Sequence, residues 1–475
     1  MQYPSQLLIG GILVDGQADI DVIDPATGAV FTSCGQASEM QLDLAAAAAR
    51  QALPAWAVSP VGERQAALVR IADALAARAD AFAELLVREQ GKTLAEAVFE
   101  VSGTIDFFRY FATQSLPGEV IEDSDRRYVR LEHRPVGVVG AIVPWNYPLV
   151  LMGAKVAPAL LVGNTIVIKP APTTPLTALM FGALVRELVP AGVINVVADG
   201  GELGQAMTGH PGIDKISFTG STETGRRVMA RSAATLKRVT LELGGNDAAI
   251  VCDDVDPAEV ARSIFAIAFP NAGQLCMAIK RAYVPECLYD DFCTAMAALA
   301  NAAIVGSGLD PTTTMGPVQN RKQYDRVHDL IDDARAHGTI IAGGGRDNRD
   351  GYFIEPTIVR DIDDRARLVV EEQFGPVLPI IKVASDDDAV ARANASEFGL
   401  GASVWSSNTD RGVTLAARLE AGAVWVNKHS EIGPNLPLAG AKQSGIGAEF
   451  GRYGLLDMTQ IRTINCGPRA NSAQV

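Results

Sequence analysis

The apolar positions between residues 136 and 243 form short runs separated by longer amphipathic stretches, which predicts alternating strands and helices. The predicted strands are 137–143, 165–169, 193–197, 214–218 and 237–243, and the predicted helices are 149–162, 174–188, 202–209 and 222–233. Such a repeat is typical of a parallel, doubly wound sheet that binds ligands at the carboxyl ends of its strands.

A similar alternation runs from 247 to 445. Its predicted elements include strands 248–252 and 279–285 and helices 256–270, 288–302 and 385–396. The two halves together predict two α/β domains.

The rest of the chain follows other patterns. Residues 8–33 are expected to form short strands with a turn at 25–28, and residues 40–115 to form helices over 41–52, 60–90 and 92–115. Residues 118–135 alternate charged and apolar side chains, which predicts an edge hairpin able to pair with a neighbouring subunit. A last strand is expected beyond 457, followed by a flexible end from Pro468 to Val475.

Composition narrows the class of protein. With 48% hydrophobic and 20% charged residues among 475, the chain can bury a large core. The net charge is −14, which argues against nucleic acid or an anionic membrane as a partner. The six cysteines show no CxxC spacing, which fits a reducing cytoplasm, and the five histidines give no metal-ligand spacing, so no metal is expected. The N-terminus lacks the basic and apolar regions of a signal peptide.

Three short stretches carry side chains with candidate chemistry. Cys276 lies in NAGQLCM, Glu242 in LELGGND and Asn146 in PWNYP. A thiol, a carboxylate and a carboxamide are the groups that carry an acyl unit on sulfur: the thiolate attacks, the amide binds the oxyanion and the carboxylate activates water. Each alone has a plainer interpretation, as a buried cysteine, a strand-end charge and a turn residue. Glycines beside Glu242 and Cys276 favour the chemical interpretation, because they let backbone approach a ligand closely.

Three further motifs are candidates for binding a nucleotide. The stretch FTGSTETG, residues 218–225, follows a strand and opens a helix, so its glycines leave room for a phosphate at the helix N-terminus. Lys169 ends another strand, where its ammonium group can bond a ribose hydroxyl or a phosphate. Glu372 and Phe374 form a carboxylate–aromatic pair that can hold a ribose and cover a flat heterocycle. The plainer alternatives are a glycine-rich turn, a solvated lysine and an acidic loop.

Together these motifs resemble the aldehyde dehydrogenase superfamily. PWNYP, KPAPTTP, FTGSTETG, ELGGND, NAGQLC, EEQFGPV, GAVWVN and AGAKQSGIG occur in the order and approximate spacing of that family, and the likeness covers nearly the whole chain. The resemblance implies two doubly wound, Rossmann-like α/β domains with a small β oligomerisation segment. It implies a dinucleotide-binding domain in 1–117 and 136–243, a catalytic domain in 244–445, and an oligomerisation segment in 118–135 and 456–475. A homodimer or homotetramer is expected on the same ground.

The resemblance also implies roles for individual residues. Cys276 corresponds to the nucleophile, Asn146 to the side chain that binds the oxyanion, and Glu242 to the general base. Lys155 and Glu449 correspond to residues that carry protons away from the site. The positions implied to bind the cofactor are Ile142, Pro144, Trp145, Lys169, Pro172, Gly204, Phe218, Gly220, Ser221, Gly245, Glu372 and Phe374. The positions implied to line the substrate pocket are Tyr147, Leu151, Ala154, Leu275, Met277 and Leu438.

The implied reaction is the oxidation of an aldehyde to a carboxylic acid with NAD. The Cys276 thiolate forms a thiohemiacetal, hydride leaves to nicotinamide, and Glu242 activates the water that hydrolyses the resulting thioester. NAD-preferring relatives usually carry a glutamate where this chain has Pro172, so NADP is an alternative cofactor. At the C-terminal motif Ala448 replaces a usual arginine, and the sequence does not identify what replaces its contacts.

The substrate-pocket positions favour apolar or aromatic aldehydes. None of them is charged, and Ala154 stands where many relatives carry a large aromatic residue, which implies a wider tunnel. A semialdehyde is the alternative substrate. Two other classes stay open: a cysteine-dependent esterase with no redox step, and a non-catalytic use of the fold.

Overall fold

The computed structural model describes residues 3–467 of the chain. Its first elements are β1 (Leu7–Ile9), β2 (Ile12–Val14), β3 (Ala18–Asp24), β4 (Ala29–Gln36), α1 (Glu39–Val58), α2 (Val61–Ala76), α3 (Ala79–Gln90), α4 (Leu94–Ala112), β5 (Glu119–Asp123) and β6 (Tyr128–Pro135). Ser38 with Gln41, and Thr93 with Glu96, form capping boxes that start α1 and α4. The short strands and the turn predicted for residues 8–33 are confirmed.

The single helix predicted over 60–90 is wrong. This segment forms two helices, α2 and α3, which are separated at Ala77 and Arg78. Leu75, Ala79 and Phe82 keep helical spacing across the break, so the apolar pattern does not mark it. The chain turns here because α2 packs against α4 and α5, whereas α3 packs against α4 and α6.

The remaining elements alternate in type along most of the chain. Up to residue 242 they are β7 (Val138–Ile142), α5 (Pro148–Leu161), β8 (Thr165–Lys169), α6 (Leu176–Val185), β9 (Ile194–Val196), α7 (Leu203–Gly209), β10 (Lys215–Thr219), α8 (Thr222–Ser232) and β11 (Arg238–Glu242). Beyond it they are β12 (Asp247–Val251), α9 (Pro257–Ala268), β13 (Ile279–Pro285), α10 (Tyr289–Ala302), α11 (Arg321–His337), β14 (Thr339–Ala342), β15 (Thr357–Arg360), α12 (Arg367–Val370), β16 (Val377–Val383), α13 (Asp386–Asn394), β17 (Phe398–Gly399), β18 (Gly401–Trp405), α14 (Thr409–Ala416), β19 (Ala423–Val426), β20 (Ala441–Lys442), β21 (Gly445–Ile446), α15 (Gly451–Asp457) and β22 (Thr459–Cys466).

Two large sheets organise these elements and confirm the predicted α/β architecture. The first has the order β2-β1-β9-β8-β7-β10-β11-β21, with β9, β8, β7, β10 and β11 parallel. The second has the order β14-β15-β16-β13-β12-β18-β19 and is parallel except for β14. β8 and β12 are buried along their whole length, as expected for parallel strands covered by helices on both faces.

The order of the first sheet fixes where a ligand binds. From β7 the chain proceeds outward through β8 and β9, and then returns to place β10 on the other side of β7. Ligands of doubly wound sheets bind at such a reversal, outside the carboxyl ends of the strands. The loops that follow β7, β8, β9 and β10 therefore share one binding edge.

A third, antiparallel sheet joins the predicted hairpin to the end of the chain. Its order is β22-β6-β5, and the pairing of β22 with β6 runs from Thr459 opposite Pro135 to Cys466 opposite Tyr128. The hairpin and the last strand are thus confirmed, whereas the flexible end predicted for 468–475 lies outside the described residues. Within 3–467 no helix combines the length and apolar character needed to cross a bilayer. The predicted domain boundaries stay predictions.

Candidate active site

Cys276 lies on a strained loop between α9 and β13. The loop begins with a single 3-10 turn, Pro270–Gly273, in which Asn271 and Ala272 have φ values of 52° and 54°. Left-handed backbone at such residues costs about 1–3 kcal/mol each and persists where surrounding contacts hold it, often at functional sites. Here the Asn271 backbone N–H donates to Glu96 Oε1 at 2.6 Å. The Cys276 side chain is half-buried, so the loop presents it at a cleft.

The structure brings Asn146 to the same loop. Asn146 Nδ2 donates to the carbonyl of Gln274 at 3.0 Å, two residues before Cys276. The backbone carbonyl of Asn146 accepts hydrogen bonds from Lys92 Nζ at 3.0 Å and from Asn271 Nδ2 at 2.9 Å. An amide NH2 group carries two hydrogens, and the bond to Gln274 fixes its plane. The second hydrogen of the Asn146 amide is not used by this bond and is left for another acceptor.

A buried ion pair supports Asn146 from behind. Lys92 pairs with Glu100, and both side chains are fully buried. Glu100 Oε1 accepts the backbone N–H of Leu149 at 2.8 Å, in the first turn of α5. Lys92 Nζ also lies 3.6 Å from the centre of the Tyr147 ring. Lys92 and Glu100 are therefore positioning residues, which fix the turn from β7 into α5 on which Asn146 sits.

Glu242 ends β11, at the same edge of the first sheet, and is buried. Burial raises the pKa of Glu242 well above its usual 4.5, the Glu449 carboxylate raises it further, and the Lys155 ammonium lowers it. Lys155 forms an ion pair with Glu449, and the Ser217 hydroxyl donates to Glu449 Oε1 at 3.1 Å. The structure thus brings Lys155 and Glu449 together, close enough to Glu242 for their charges to shift its pKa.

Lys280 is a buried residue of this site that the sequence did not reveal. It lies on β13, and its Nζ donates to the Cys276 carbonyl and lies 3.3 Å from Glu372 Oε1. Burial raises the pKa of the Cys276 thiol to about 12, and the Lys280 ammonium is the charge that lowers it most. The carboxylates of Glu242, Asp247 and Glu372 raise it. The thiol is therefore neutral at neutral pH unless this balance of charges changes.

Two glycines after Glu242 allow the close contacts that join the two sheets. A Cβ on Gly244 would lie 2.3 Å from Glu372 Oε2, and one on Gly245 would lie 2.8 Å from the Cys276 carbonyl oxygen. The Gly245 backbone N–H donates to Glu372 Oε1 at 3.0 Å. Glu372 is thereby held between the end of the first sheet and the Cys276 loop.

The positions predicted to bind a cofactor share the carboxyl edge of the first sheet. At this edge or beside it lie Ile142, the last residue of β7, with Pro144 and Trp145 after it; Lys169, the last residue of β8, with Pro172 after it; Gly204 in α7; Phe218 in β10, with Gly220 and Ser221 between β10 and α8; and Gly245 after β11. Ser221 Oγ caps α8 by accepting the Thr224 backbone N–H at 3.3 Å. Phe374, next to Glu372, meets Trp145 edge to face with ring centres 5.3 Å apart.

This edge fits a nicotinamide dinucleotide. The hydroxyls of Thr173 and Thr174, in the loop after β8, and of Thr219, at the end of β10, are buried without a hydrogen-bond partner. Each buried unsatisfied polar group costs about 1–3 kcal/mol, so these hydroxyls favour a polar ligand along the edge. The N-terminus of α8 adds backbone N–H groups suited to a pyrophosphate. Among the described residues no group of three or more histidine, cysteine or acidic side chains is placed to hold a metal.

The predicted substrate positions lie in three parts of the chain. Tyr147, Leu151 and Ala154 follow helical spacing at the start of α5. Leu275 and Met277 flank Cys276 in the chain, and Leu438 pairs through its backbone with Glu449. Burial raises the pKa of Tyr147 well above 10, and the nearby groups of Glu96, Glu100 and Cys276 add to the effect. These positions therefore carry apolar side chains and one phenol that favours its neutral form.

A sequence profile described as the Aldehyde dehydrogenase family matches residues 13–464. The chain belongs to the aldehyde dehydrogenase family. It is accordingly an oxidoreductase that converts an aldehyde into a carboxylic acid with NAD or NADP. This aldehyde dehydrogenase thus has the fold and the reaction that its motifs predicted, and family membership favours a redox enzyme over the esterase and non-catalytic alternatives.

Known relatives match this aldehyde dehydrogenase along nearly its whole length. Phenylacetaldehyde dehydrogenase of Pseudomonas fluorescens is 38% identical over 482 residues, covering 98% of this chain and 96% of that protein. Retinal dehydrogenase 2 of Homo sapiens is 38% identical over 462 residues, covering 95% and 89%. The NAD+ complex of an aldehyde dehydrogenase from Bacillus cereus superimposes with a TM-score of 0.95 at 37% identity, covering 98% of this chain and 96% of that one.

Proposed function

We propose that this aldehyde dehydrogenase oxidises apolar, including aromatic, aldehydes with NAD through a thioester on Cys276. The observation that carries the proposal is the bond from Asn146 Nδ2 to the carbonyl of Gln274, because it ties the amide to the loop that holds Cys276 and so supports Asn146 as the oxyanion donor. Glu242 reaches the same site from the neighbouring strand end, and its carboxylate is close enough to raise the pKa of Cys276. A thiol, an amide donor and a base thus meet at one cleft.

The proposed reaction uses these side chains in order. The Cys276 thiol loses its proton to water, a loss that the charge of the Lys280 ammonium favours, and the sulfur adds to the aldehyde carbon while Asn146 Nδ2 and the Cys276 backbone N–H donate to the oxyanion. A bound nicotinamide ring supplies the hydride acceptor for the collapse of this adduct. Glu242 then takes a proton from the water that attacks the thioester, and the Lys155–Glu449 pair receives that proton. Carboxylate leaves, and the thiol is restored.

The proposed substrate class rests on the pocket. Its predicted lining residues carry no charge, and Ala154 leaves room where a larger side chain would narrow the passage. Phenylacetaldehyde dehydrogenase and retinal dehydrogenase, two similar proteins, act by name on aldehydes with apolar bodies. A semialdehyde such as succinic semialdehyde carries a carboxylate besides its aldehyde group, and this carboxylate would meet no fixed cation among these positions.

The substrate proposal is tested by comparing kcat/KM for phenylacetaldehyde, benzaldehyde and succinic semialdehyde with NAD. The aromatic aldehydes are expected to exceed the semialdehyde by on the order of tenfold or more, because an unpaired carboxylate is costly in an apolar pocket. A strong preference for succinic semialdehyde contradicts the substrate class. Cys276→Ala is expected to abolish oxidation of all three, and retained turnover in this variant contradicts the role of the thiol.

We propose further that the β5–β6–β22 sheet pairs with a neighbouring subunit in a cytoplasmic homodimer or homotetramer. Val120, Ile121 and Ile461 expose apolar side chains on this sheet, with 52%, 56% and 66% of their surface accessible. All six cysteines are free thiols, which fits a reducing compartment. Light scattering on the full chain should give a dimer or tetramer mass, and a monomer at micromolar concentration contradicts the assembly.

A further inference from the structure

Asp199 is a buried carboxylate at the cofactor edge that the proposed reaction does not use. It follows β9, the strand beside β8, and its side chain is 1% exposed. One oxygen, Oδ1, forms an ion pair with Lys169 Nζ. The other, Oδ2, accepts the backbone N–H groups of Gly201 at 2.9 Å and Leu203 at 2.6 Å. The carboxylate therefore both shapes the loop before α7 and neutralises the lysine at the end of β8.

The loop that carries Asp199 fills the space beside Pro172. A Cβ on Gly201 would lie 3.7 Å from Pro172 Cγ, and one on Gly204 would lie 3.6 Å from Lys169 Cε. NAD-preferring relatives usually carry a glutamate at the position of Pro172. In this chain the carboxylate reaches Lys169 from the neighbouring strand end instead.

We propose that Asp199 selects NAD over NADP in this enzyme. The proposal rests on the cofactor site of the proposed function. In doubly wound dinucleotide sites a carboxylate bonds the 2′-hydroxyl of the adenosine ribose, whereas a cation accommodates a 2′-phosphate. Asp199 supplies a carboxylate acceptor and also compensates the charge of Lys169. A 2′-phosphate would meet like charge at Asp199 and no uncompensated cation at Lys169.

The free enzyme provides the first test, with adenosine fragments as probes. Calorimetric titration of the full chain is expected to give tighter binding of AMP than of adenosine 2′,5′-bisphosphate, by on the order of tenfold or more. Equal or tighter binding of the bisphosphate overturns the proposal. This titration needs no variant and no turnover. It therefore tests the proposal even if a substitution at Asp199 disturbs the loop.

The second test is Asp199→Asn, which keeps an amide oxygen for the Gly201 and Leu203 bonds while removing the charge that neutralises Lys169. The dissociation constants of NADH and NADPH are measured by fluorescence titration without aldehyde. Their ratio is expected to shift toward NADPH by on the order of 30-fold. The double variant Asp199→Asn/Lys169→Met is expected to lose that shift. Glu202→Gln is the matched control, because it removes the same charge from an exposed residue of the same loop.

The outcomes distinguish a failure of the selection by Asp199 from a failure of the proposed NAD site. A ratio within about twofold of wild type in Asp199→Asn overturns the selection by Asp199. An equal shift in Glu202→Gln also overturns the selection by Asp199, because the loss of any negative charge from this loop would then change the ratio of the two dissociation constants. If wild type binds neither NADH nor NADPH, the proposed cofactor site fails instead.

Discussion

Two buried lysine–glutamate pairs flank the two reacting groups, and they influence those groups differently. Lys280 with Glu372 lies beside Cys276, and Lys155 with Glu449 lies beside Glu242. Burial is the largest cause that raises the pKa of both reacting groups. In each case the lysine opposes that shift and the paired glutamate adds to it.

The balance within the two pairs is different. At Cys276 the largest charge effect comes from the lysine, which favours the thiolate. At Glu242 the largest charge effect comes from the partner carboxylate, which favours the neutral acid. A thiolate is needed at the first step and an ionised base only at the last. The lysine is thus the dominant charge at the proposed nucleophile, and the carboxylate is the dominant charge at the proposed base.

Among the substitutions in the two ion pairs, the removal of Lys280 is expected to have the largest effect, and this effect falls on the reactivity of Cys276. In Lys280→Met the pKa of Cys276 rises, so less thiolate is present at pH 8. Alkylation of Cys276 by iodoacetamide, followed by peptide mass spectrometry, should slow by on the order of 10- to 100-fold, a factor of ten for each pKa unit. Lys322→Met, at an exposed position, is the control. An unchanged alkylation rate contradicts the role given to Lys280.

The removal of Lys155 is expected to slow the last step of the proposed reaction, in which Glu242 activates water. In Lys155→Met the pKa of Glu242 rises further, so less carboxylate is available to activate water at pH 7. Steady-state turnover should fall by on the order of tenfold and recover as pH rises, while the first burst of reduced cofactor keeps its size. Lys428→Met, which removes the lysine of an exposed ion pair with Glu431, is the control. Equal loss of burst and turnover is the result that counts against this assignment.

A smaller effect is expected when the carboxylate of the second pair is neutralised. In Glu449→Gln the charge that raises the pKa of Glu242 is gone. A carboxyl group ionises above its pKa, so the pH at which turnover reaches half its maximum should move downward. The pH profile of kcat measures this shift. An upward displacement would mean that Glu449 does not act on Glu242 through its charge.

The sequence predicts the strands, helices and motif residues of the site, but it does not predict which charged side chains surround them. The strand–helix alternation follows from hydrophobic spacing, and Cys276, Glu242 and Asn146 stand out because each lies close to glycine or proline in a short motif. Lys280 lies within a buried strand, so the sequence predicts only that it is a strand residue and gives no sign of a role at the site. Its contact with Glu372 joins residues about ninety positions apart in the chain, and Gly244 and Gly245 give Glu372 and the Cys276 loop the room to meet there.

Asp199 was missed for a similar reason. The absence of a glutamate at position 172 is visible in the sequence, but the compensating carboxylate comes from a different strand end. Only the parallel order of β8 and β9 places the two loops side by side. The break between α2 and α3 likewise accompanies a change in partners, from α5 beside α2 to β3 beside α3, which apolar spacing does not encode.

The most direct test of the account is the fate of the acyl group in Glu242→Gln. Mixed rapidly with NAD and phenylacetaldehyde, this variant should release one equivalent of reduced cofactor per active site and then turn over slowly, with the acyl mass on the peptide that contains Cys276. Loss of the burst together with turnover, or an acyl group on another cysteine, would contradict the division of labour between Cys276 and Glu242.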